Sequence, residues 1–420
     1  MLTRESITAN RHIFVSSDKG NKKGNKNLAK FICWYDRASG KVKTFLLDVD
    51  CTDEDTSDIA EAILHSLKRV FPVDFDIKLD GQCTDSGGGG TKHAFARAMK
   101  AKGLTIDHYL ICTCSLHNLQ TCLRNAVQNV MGEGGVDDDG EYVKNVMQML
   151  HGAYNLQNWQ ENDELKELWK YLAVLEDEEV RFKKLEEPIV TRWWLVGACA
   201  CSFKDSIGMW QRICRAIRNS APSGTASSKI ASCTLNLMTN KAILNDLELL
   251  VAFHSFFLFP HFKFLQDGDK ECGGTPSFIA RHMTVRYFLM VEDLKSVEGD
   301  KWRSNAMFKD YVSSSDALNN KDKEMQNKKR THFFRYVSES LHNHFKQWTN
   351  DLLFLSLFSP QATATIVAKM NLGTTVNRAQ SYHCSIHTRD INLRAFYSFL
   401  KDRCCKSAVC YFTEKSIPFN

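Results

Sequence analysis

The sequence predicts an α/β fold: a mixed sheet in the order βββαβαβα, followed by a large, mostly α-helical domain. Three observations predict it. Short runs of β-branched and aromatic residues, bounded by Gly, Asn, Asp and Ser, crowd residues 1–131. The later runs are separated by segments whose apolar residues recur at helical spacing. Beyond Gly132-Glu-Gly-Gly and Asp137-Asp-Asp-Gly140 the strand signals fade, and long helical patterns fill residues 132–420.

The first strand is Arg11–Ser17 (RHIFVSS), ending on Asp18 and followed by a loop of Lys, Asn and Gly (KGNKKGNKN). Ala29–Tyr35 and Val42–Val49 form a hairpin through Asp36-Arg-Ala-Ser-Gly40. An amphipathic helix spans Thr56–Val70, with Ile59, Ile63, Leu64, Leu67 and Val70 on one face and Asp55 or Thr56 as its cap. A fourth strand runs from Phe75 to Thr84 and delivers Asp85 to a run of one serine and four glycines, Ser86–Gly90. A short helix at His93–Ala101, a buried strand at Tyr109–Cys112 and a helix at Leu116–Val130 complete the series. Three antiparallel strands followed by crossover units is the order of the ribonuclease H-like fold, in which the fourth strand lies beside the first. That topology would bring Asp18 and Asp85 together.

In the second region Leu165, Leu168, Trp169, Leu172 and Leu175 keep helical spacing. Further helices are predicted at 203–218, 229–257, 277–293, 331–358 and 390–405, with loops at Asn219–Ser228 and Ser313–Arg330. The most apolar stretch, Leu247–Leu265, contains His254, Pro260, His261 and Lys263, which points to a buried helix pair rather than a membrane span.

A chain of 420 residues with 43% hydrophobic and 25% charged residues exceeds one ordinary core. Its net charge of +5 is unevenly laid out: residues 1–44 hold ten Lys/Arg against three acids, and residues 45–62 hold seven acids and no base. Fifteen cysteines without repeated spacing fit reduced thiols in a nuclear or cytoplasmic protein. The N-terminus lacks the apolar core of a secretion signal.

Several constellations could carry chemistry. Two facing carboxylates at Asp18 and Asp85 would hold Mg²⁺ or Mn²⁺ for phosphodiester chemistry. Asp48, Asp50 and Asp53 are the local candidates for a third acid, although an acidic helix start explains them equally well. Cys114-Ser-Leu-His117 places a thiol and an imidazole where a strand turns into a helix; two ligands do not make a zinc site, so zinc is not supported. Lys19, Lys22, Lys23, Lys26 and Lys30 suit a DNA backbone or a solvated hairpin. Arg192 and Trp193 suit phosphate contact and stacking on an unpaired base, or a place in the core. The glycine run does not meet the pattern of a phosphate-binding loop, because Lys92 follows a threonine.

Taken in order, the first-strand Asp18, the Thr84-Asp-Ser-Gly-Gly-Gly run, Cys114-x-x-His117-Asn-Leu and Thr191-Arg-Trp resemble the DDE transposases of the hAT superfamily, over roughly Arg11–Phe203. The resemblance implies a ribonuclease H-like core with a helical insertion-type domain, cut-and-paste chemistry on DNA ends, and DNA as partner, with self-association as a further possibility and no membrane. It matches Asp18 and Asp85 to the first two metal-binding acids, Cys114 and His117 to the family's C-x-x-H pair, and Arg192 and Trp193 to its insertion-domain element. The family's third acid, a Glu beyond the insertion, has no counterpart assigned; Glu414 lies in the tail. Neither an N-terminal zinc finger nor a C-terminal dimerisation segment is recognisable, so the expectation is an incomplete or domesticated transposase. The alternative expectation is a non-enzymatic interaction or scaffold protein that retains the fold.

Overall fold

The computed structural model describes residues 12–22, 25–36, 41–51, 56–70, 78–84, 97, 100–101, 110–159, 162–175, 182, 184–188, 193–222, 224–267 and 276–349. They divide into two compact units. A sheet unit runs to Asn118 and takes in residues 276–281, and a helical unit comprises Leu119–Gly274 and His282–Leu352.

The sheet unit contains β1 (His12–Lys22), β2 (Asn25–Asp36), β3 (Lys41–Cys51), helix α1 (Thr56–Val70), β4 (Lys78–Thr84) and β5 (Leu110–Thr113). The strands form one five-stranded mixed sheet in the order β3-β2-β1-β4-β5. β1 pairs antiparallel with β2, and β2 with β3, whereas β1 with β4 and β4 with β5 are parallel. Val15 and Ile32 are register partners and both are buried. Ile63, Leu64 and Leu67, one stripe of α1, are buried as well, each such side chain contributing roughly 1.5–3 kcal/mol of transfer free energy. Lys68 and Arg69 close α1 with positive charge at its C-terminal end, where the helix dipole favours it.

Two expectations for this region change. β1 does not stop at Ser17 but continues to Lys22, so Asp18 lies within the strand, opposite Ala29, and not at its end. The predicted Lys/Asn/Gly loop is largely strand, because the ladder from Ser17↔Lys30 to Lys22↔Asn25 pairs backbone groups whatever the side chains. β3 is an edge strand that leaves Phe45, Leu46 and Val49 exposed. A bulge opposite Lys30/Phe31 interrupts its ladder, which discourages further pairing. The predicted helix at His93–Ala101 lies mostly outside the described residues.

Helix α2 (Ser115–Val130) carries the chain toward α3 (Val146–Trp159), α4 (Asn162–Leu175), α5 (Trp193–Asp205), α6 (Ile207–Ser220) and α7 (Ala226–Leu237). After these come α8 (Lys241–Phe253), a π turn (His254–Leu258), α9 (Phe259–Asp267), α10 (Pro276–Ser296), α11 (Lys309–Asp316) and α12 (Asn320–Thr349). The core of this unit is aromatic. Trp169 meets Phe182 and Trp210 edge-on at 5.2 and 5.8 Å, and Phe203 stacks on Trp210. Phe253 packs on Phe257 at 5.1 Å and on Phe333 at 5.0 Å. Glycines allow two close approaches: a Cβ at Gly152 would meet Thr234, and one at Gly197 would meet His254, both near 2 Å.

The predicted helix at 203–218 breaks at Ser206, and that at 229–257 breaks before Asn240, whose side chain caps α8 through the N–H groups of Ala242 and Ile243. The predicted loop at Ser313–Arg330 is mostly helix. Its mixed charges form Lys328–Glu324 and Lys323–Asp316 pairs that support α12 rather than solvate a loop. The run Lys241–Gln266 is long and apolar enough to cross a membrane, yet 61% of its most apolar window is buried, and it carries the buried Asn245 and Asp246.

Candidate functional site

The parallel ladder between β1 and β4 is the element that bears on the predicted acids. Its last recorded pair is Ser16↔Cys83, two residues before Asp18, and β4 itself ends at Thr84. On its other side β4 pairs with β5 as far as Thr84↔Thr113, one residue before Cys114. Asp85 lies outside the described residues, as do Asp53, Lys23 and Arg192, whereas Lys26 is a strand position in β2 opposite Asn21. Asp18, Lys19 and Lys22 are strand positions in β1, and Trp193 opens α5.

Cys114 and His117 fall where the sequence places them. Cys114 ends the strand crossing, and its carbonyl accepts the N–H of Asn118 at 3.0 Å, the first turn of α2. Asn118 is buried and donates from Nδ2 to the buried Thr113 hydroxyl at 3.0 Å, tying the helix start to the strand end. Burial by itself raises the Cys114 thiol. Hydrogen bonds from the His117 side chain and backbone, the imidazole's charge and the Leu116 backbone outweigh it, and the net displacement is downward. Cys122, deeper along α2, is fully buried, and there burial dominates and pushes the thiol far up. The eight cysteines whose side chains are described form no disulfide.

A buried ionic cluster is the feature sequence reasoning missed. Lys30 was expected among the DNA-facing lysines, but its side chain is 0% exposed. Its ammonium donates to Ser66 Oγ at 2.7 Å and to the Ala62 carbonyl at 3.3 Å, and stands 3.8 Å from Asp48 Oδ2. Asp48 also accepts from Ser66 Oγ at 3.1 Å, Arg69 Nη1 at 3.0 Å and the Val49 N–H at 2.9 Å. The Ser66 hydrogen bond, then that of Val49, with Lys30 and Arg69 adding charge, hold the Asp48 carboxyl below its ordinary value. Asp48, a candidate third acid, is therefore engaged with β2 and α1. One signal was available: Lys30 alternates in phase with Ile32, as a buried position would.

The helical unit has polar clusters of its own. Lys204 bridges Glu248 at 2.5 Å and Asp310 at 2.7 Å. Buried Asp246 accepts from Lys329 at 2.9 Å, and burial still raises its carboxyl. His261 Nε2 lies 2.9 Å from Asp293 Oδ2; burial lowers the imidazole and the Asp293 hydrogen bond pushes back. Among the described residues no group of three or more His, Cys, Asp or Glu gathers as a metal centre. No protein-family model matches this sequence, and no curated protein matches it.

Proposed function

We propose that this chain is a DNA-binding protein that resembles the hAT transposases, with a ribonuclease H-like sheet unit and a helical insertion-type unit. The observation that carries the proposal is the sheet order β3-β2-β1-β4-β5, with β1 and β4 parallel. The β1–β4 ladder runs as far as Ser16↔Cys83, two residues before Asp18, and Asp85 is the residue after the end of β4 in the sequence. A metal site shared by Asp18 and Asp85 requires the two strand ends to be neighbours, and the parallel pairing of β1 with β4 supports that reading.

Two carboxylates suit a hard divalent cation, Mg²⁺ or Mn²⁺. Such an ion, when bound, activates a water or a 3′-hydroxyl and stabilises the leaving oxygen. Asp48, one of the three local candidates for a third acid, is already engaged by Lys30, Ser66 and Arg69. The function proposed is therefore that of an incomplete or domesticated transposase that binds DNA and a metal ion in the nucleus or cytoplasm. Lys19, Lys22 and Lys23 follow Asp18 and would contact phosphates, while Arg192 and Trp193 would hold an unpaired base. The same engagement of Asp48 favours a second reading, a scaffold that keeps the fold without the chemistry.

The test is fluorescence anisotropy of the full chain with a labelled DNA duplex, with and without Mn²⁺, alongside a nicking assay. We expect salt-dependent binding that Mn²⁺ tightens, with the Mn²⁺ effect lost in Asp85→Ala and Asp18→Ala, and no nicking. Nicking that Asp85→Ala abolishes would overturn the incomplete half of the proposal. Absence of DNA binding even at low salt would leave the scaffold reading.

A further inference from the structure

The longest acid-free stretch of sequence in the helical unit covers α6 and α7. Residues 206–245 contain no Asp or Glu and five bases: Arg212, Arg215, Arg218, Lys229 and Lys241. At the chain's average acid content a stretch of this length would hold about five carboxylates. The apolar stripe of α6, Met209, Trp210, Ile213, Cys214 and Ile217, is buried. The three arginines recur at every third residue on the remaining side, Arg215 and Arg218 exposed and Arg212 half-buried. Lys229 is exposed in the first turn of α7, just across the connection that Pro222 and Gly224 make. Among the described residues Arg215, Arg218 and Lys229 form no ion pair. Arg303, Lys323 and Lys328 on the same unit are, by contrast, paired with Asp316 or Glu324.

We propose that the exposed α6 and α7 surface, through Arg215, Arg218 and Lys229 with Arg212 beside them, is a binding surface for the phosphate backbone of duplex DNA. Three guanidiniums spread over about 9 Å of helix axis. That is a line of charge, suited to a polyanion rather than to one phosphate. Duplex DNA offers about one negative charge per 1.7 Å of its own axis. Guanidinium groups match phosphate oxygens in pairs of parallel hydrogen bonds. An anionic membrane is the competing polyanion, but a helix that lies on a bilayer buries an apolar face in it. Here the apolar face of α6 is already in the core. This surface extends the DNA-binding reading and is independent of Asp18 and Asp85.

The decisive experiment compares the full chain with an Arg215→Ala/Arg218→Ala/Lys229→Ala variant by duplex anisotropy over a salt series. The three residues are exposed, so the variant should unfold at the wild-type temperature. Each lost phosphate contact lowers the log–log salt slope by about 0.9, so a fall of roughly two to three is expected, the same for unrelated duplex sequences. An unchanged slope with an intact fold overturns this surface while leaving the metal-site proposal standing, since that is read from the Mn²⁺ effect of Asp85→Ala. Wild-type binding to anionic lipid vesicles in place of duplex overturns it as well. Loss of the Mn²⁺ effect from the wild type, with the slope change intact, sinks the metal site alone.

Discussion

The two units are held together by different physics. In the sheet unit the face covered by α1 is closed partly by charge: Lys30 is fully buried between Ser66, the Ala62 carbonyl and Asp48, beside Val15 and Ile32. In the helical unit the core is built on two sets of aromatic contacts, Trp169–Trp210–Phe203 and Phe257–Phe253–Phe333. Aromatic burial is non-directional and scales with area. A buried ammonium depends instead on three partners at set distances, and loses far more when one is removed than it contributed as a pair. The helical unit should therefore respond to lost volume and the sheet unit to lost charge.

The largest effect should come from volume. Trp210 is 0% exposed and touches both Trp169 and Phe203. Trp210→Ala should cost about 3–5 kcal/mol, the range for deleting a buried large aromatic. Hydrogen exchange of the full chain in rising urea should show protection in α4, α5 and α6 lost early, with that of β1, β2 and α1 unchanged. A joint loss in both units would break the comparison, because it would mean one cooperative fold.

Acid should separate the units in the same order by a smaller margin. Burial lowers the His254 imidazole to about 4, and His261 and His151 are lowered too, chiefly by burial. Between the unfolded value near 6.5 and about 4, the unfolded chain takes up a proton that the folded helical unit does not. Stability is thus lost as pH falls through that window, by roughly 3 kcal/mol for His254 alone. Asp246, raised by burial, works in the opposite sense and moderates the slope. In the sheet unit Asp48 is lowered, so its contribution persists above 3.8 and is lost only below it. Exchange protection should fail in α8 and α9 before it fails in α1 and β2, and His254→Gln should flatten the slope from pH 6.5 to 4. The reverse order, or an unchanged slope, would sink the assignment.

What the sequence made legible follows from the same contrast. Strand alternation and the apolar stripe of Thr56–Val70 are local patterns, and α1 has the bounds they predict. The continuation of β1 through Lys19-Gly-Asn-Lys22 is not local: its residues favour a turn, and only the partner strand makes them extended. The burial of Lys30 depends on Ser66, 36 positions away, which no window around the lysine contains. At the other end of the range, Asn240 was a legible stop between two helices and was overlooked, although Asn before an apolar periodic run is a capping signal. Of the candidate site, Cys114 and His117 were legible because their spacing is within one helical turn. The proposed partnership of Asp18 and Asp85 would depend on strand register, which spacing along the chain does not encode.

The finest discrimination lies within the ionic cluster itself. Lys30→Met keeps the buried stem and removes the ammonium. Asp48, 23% exposed, retains Ser66, Arg69 and the Val49 N–H, so its charge still reaches partners and water. Asp48→Asn does the opposite: it removes the carboxylate charge that stands 3.8 Å from the ammonium of a fully buried lysine. Losing the exposed partner should therefore hurt more than losing the buried one, because the charge left behind is the one that water cannot reach. Urea titrations of β2 and α1 protection should give Asp48→Asn a lower midpoint than Lys30→Met, with the helical unit unmoved in both. Equal midpoints would mean that Lys30 sits there for its hydrocarbon stem, and the sheet unit would then be held, like its neighbour, by volume rather than charge.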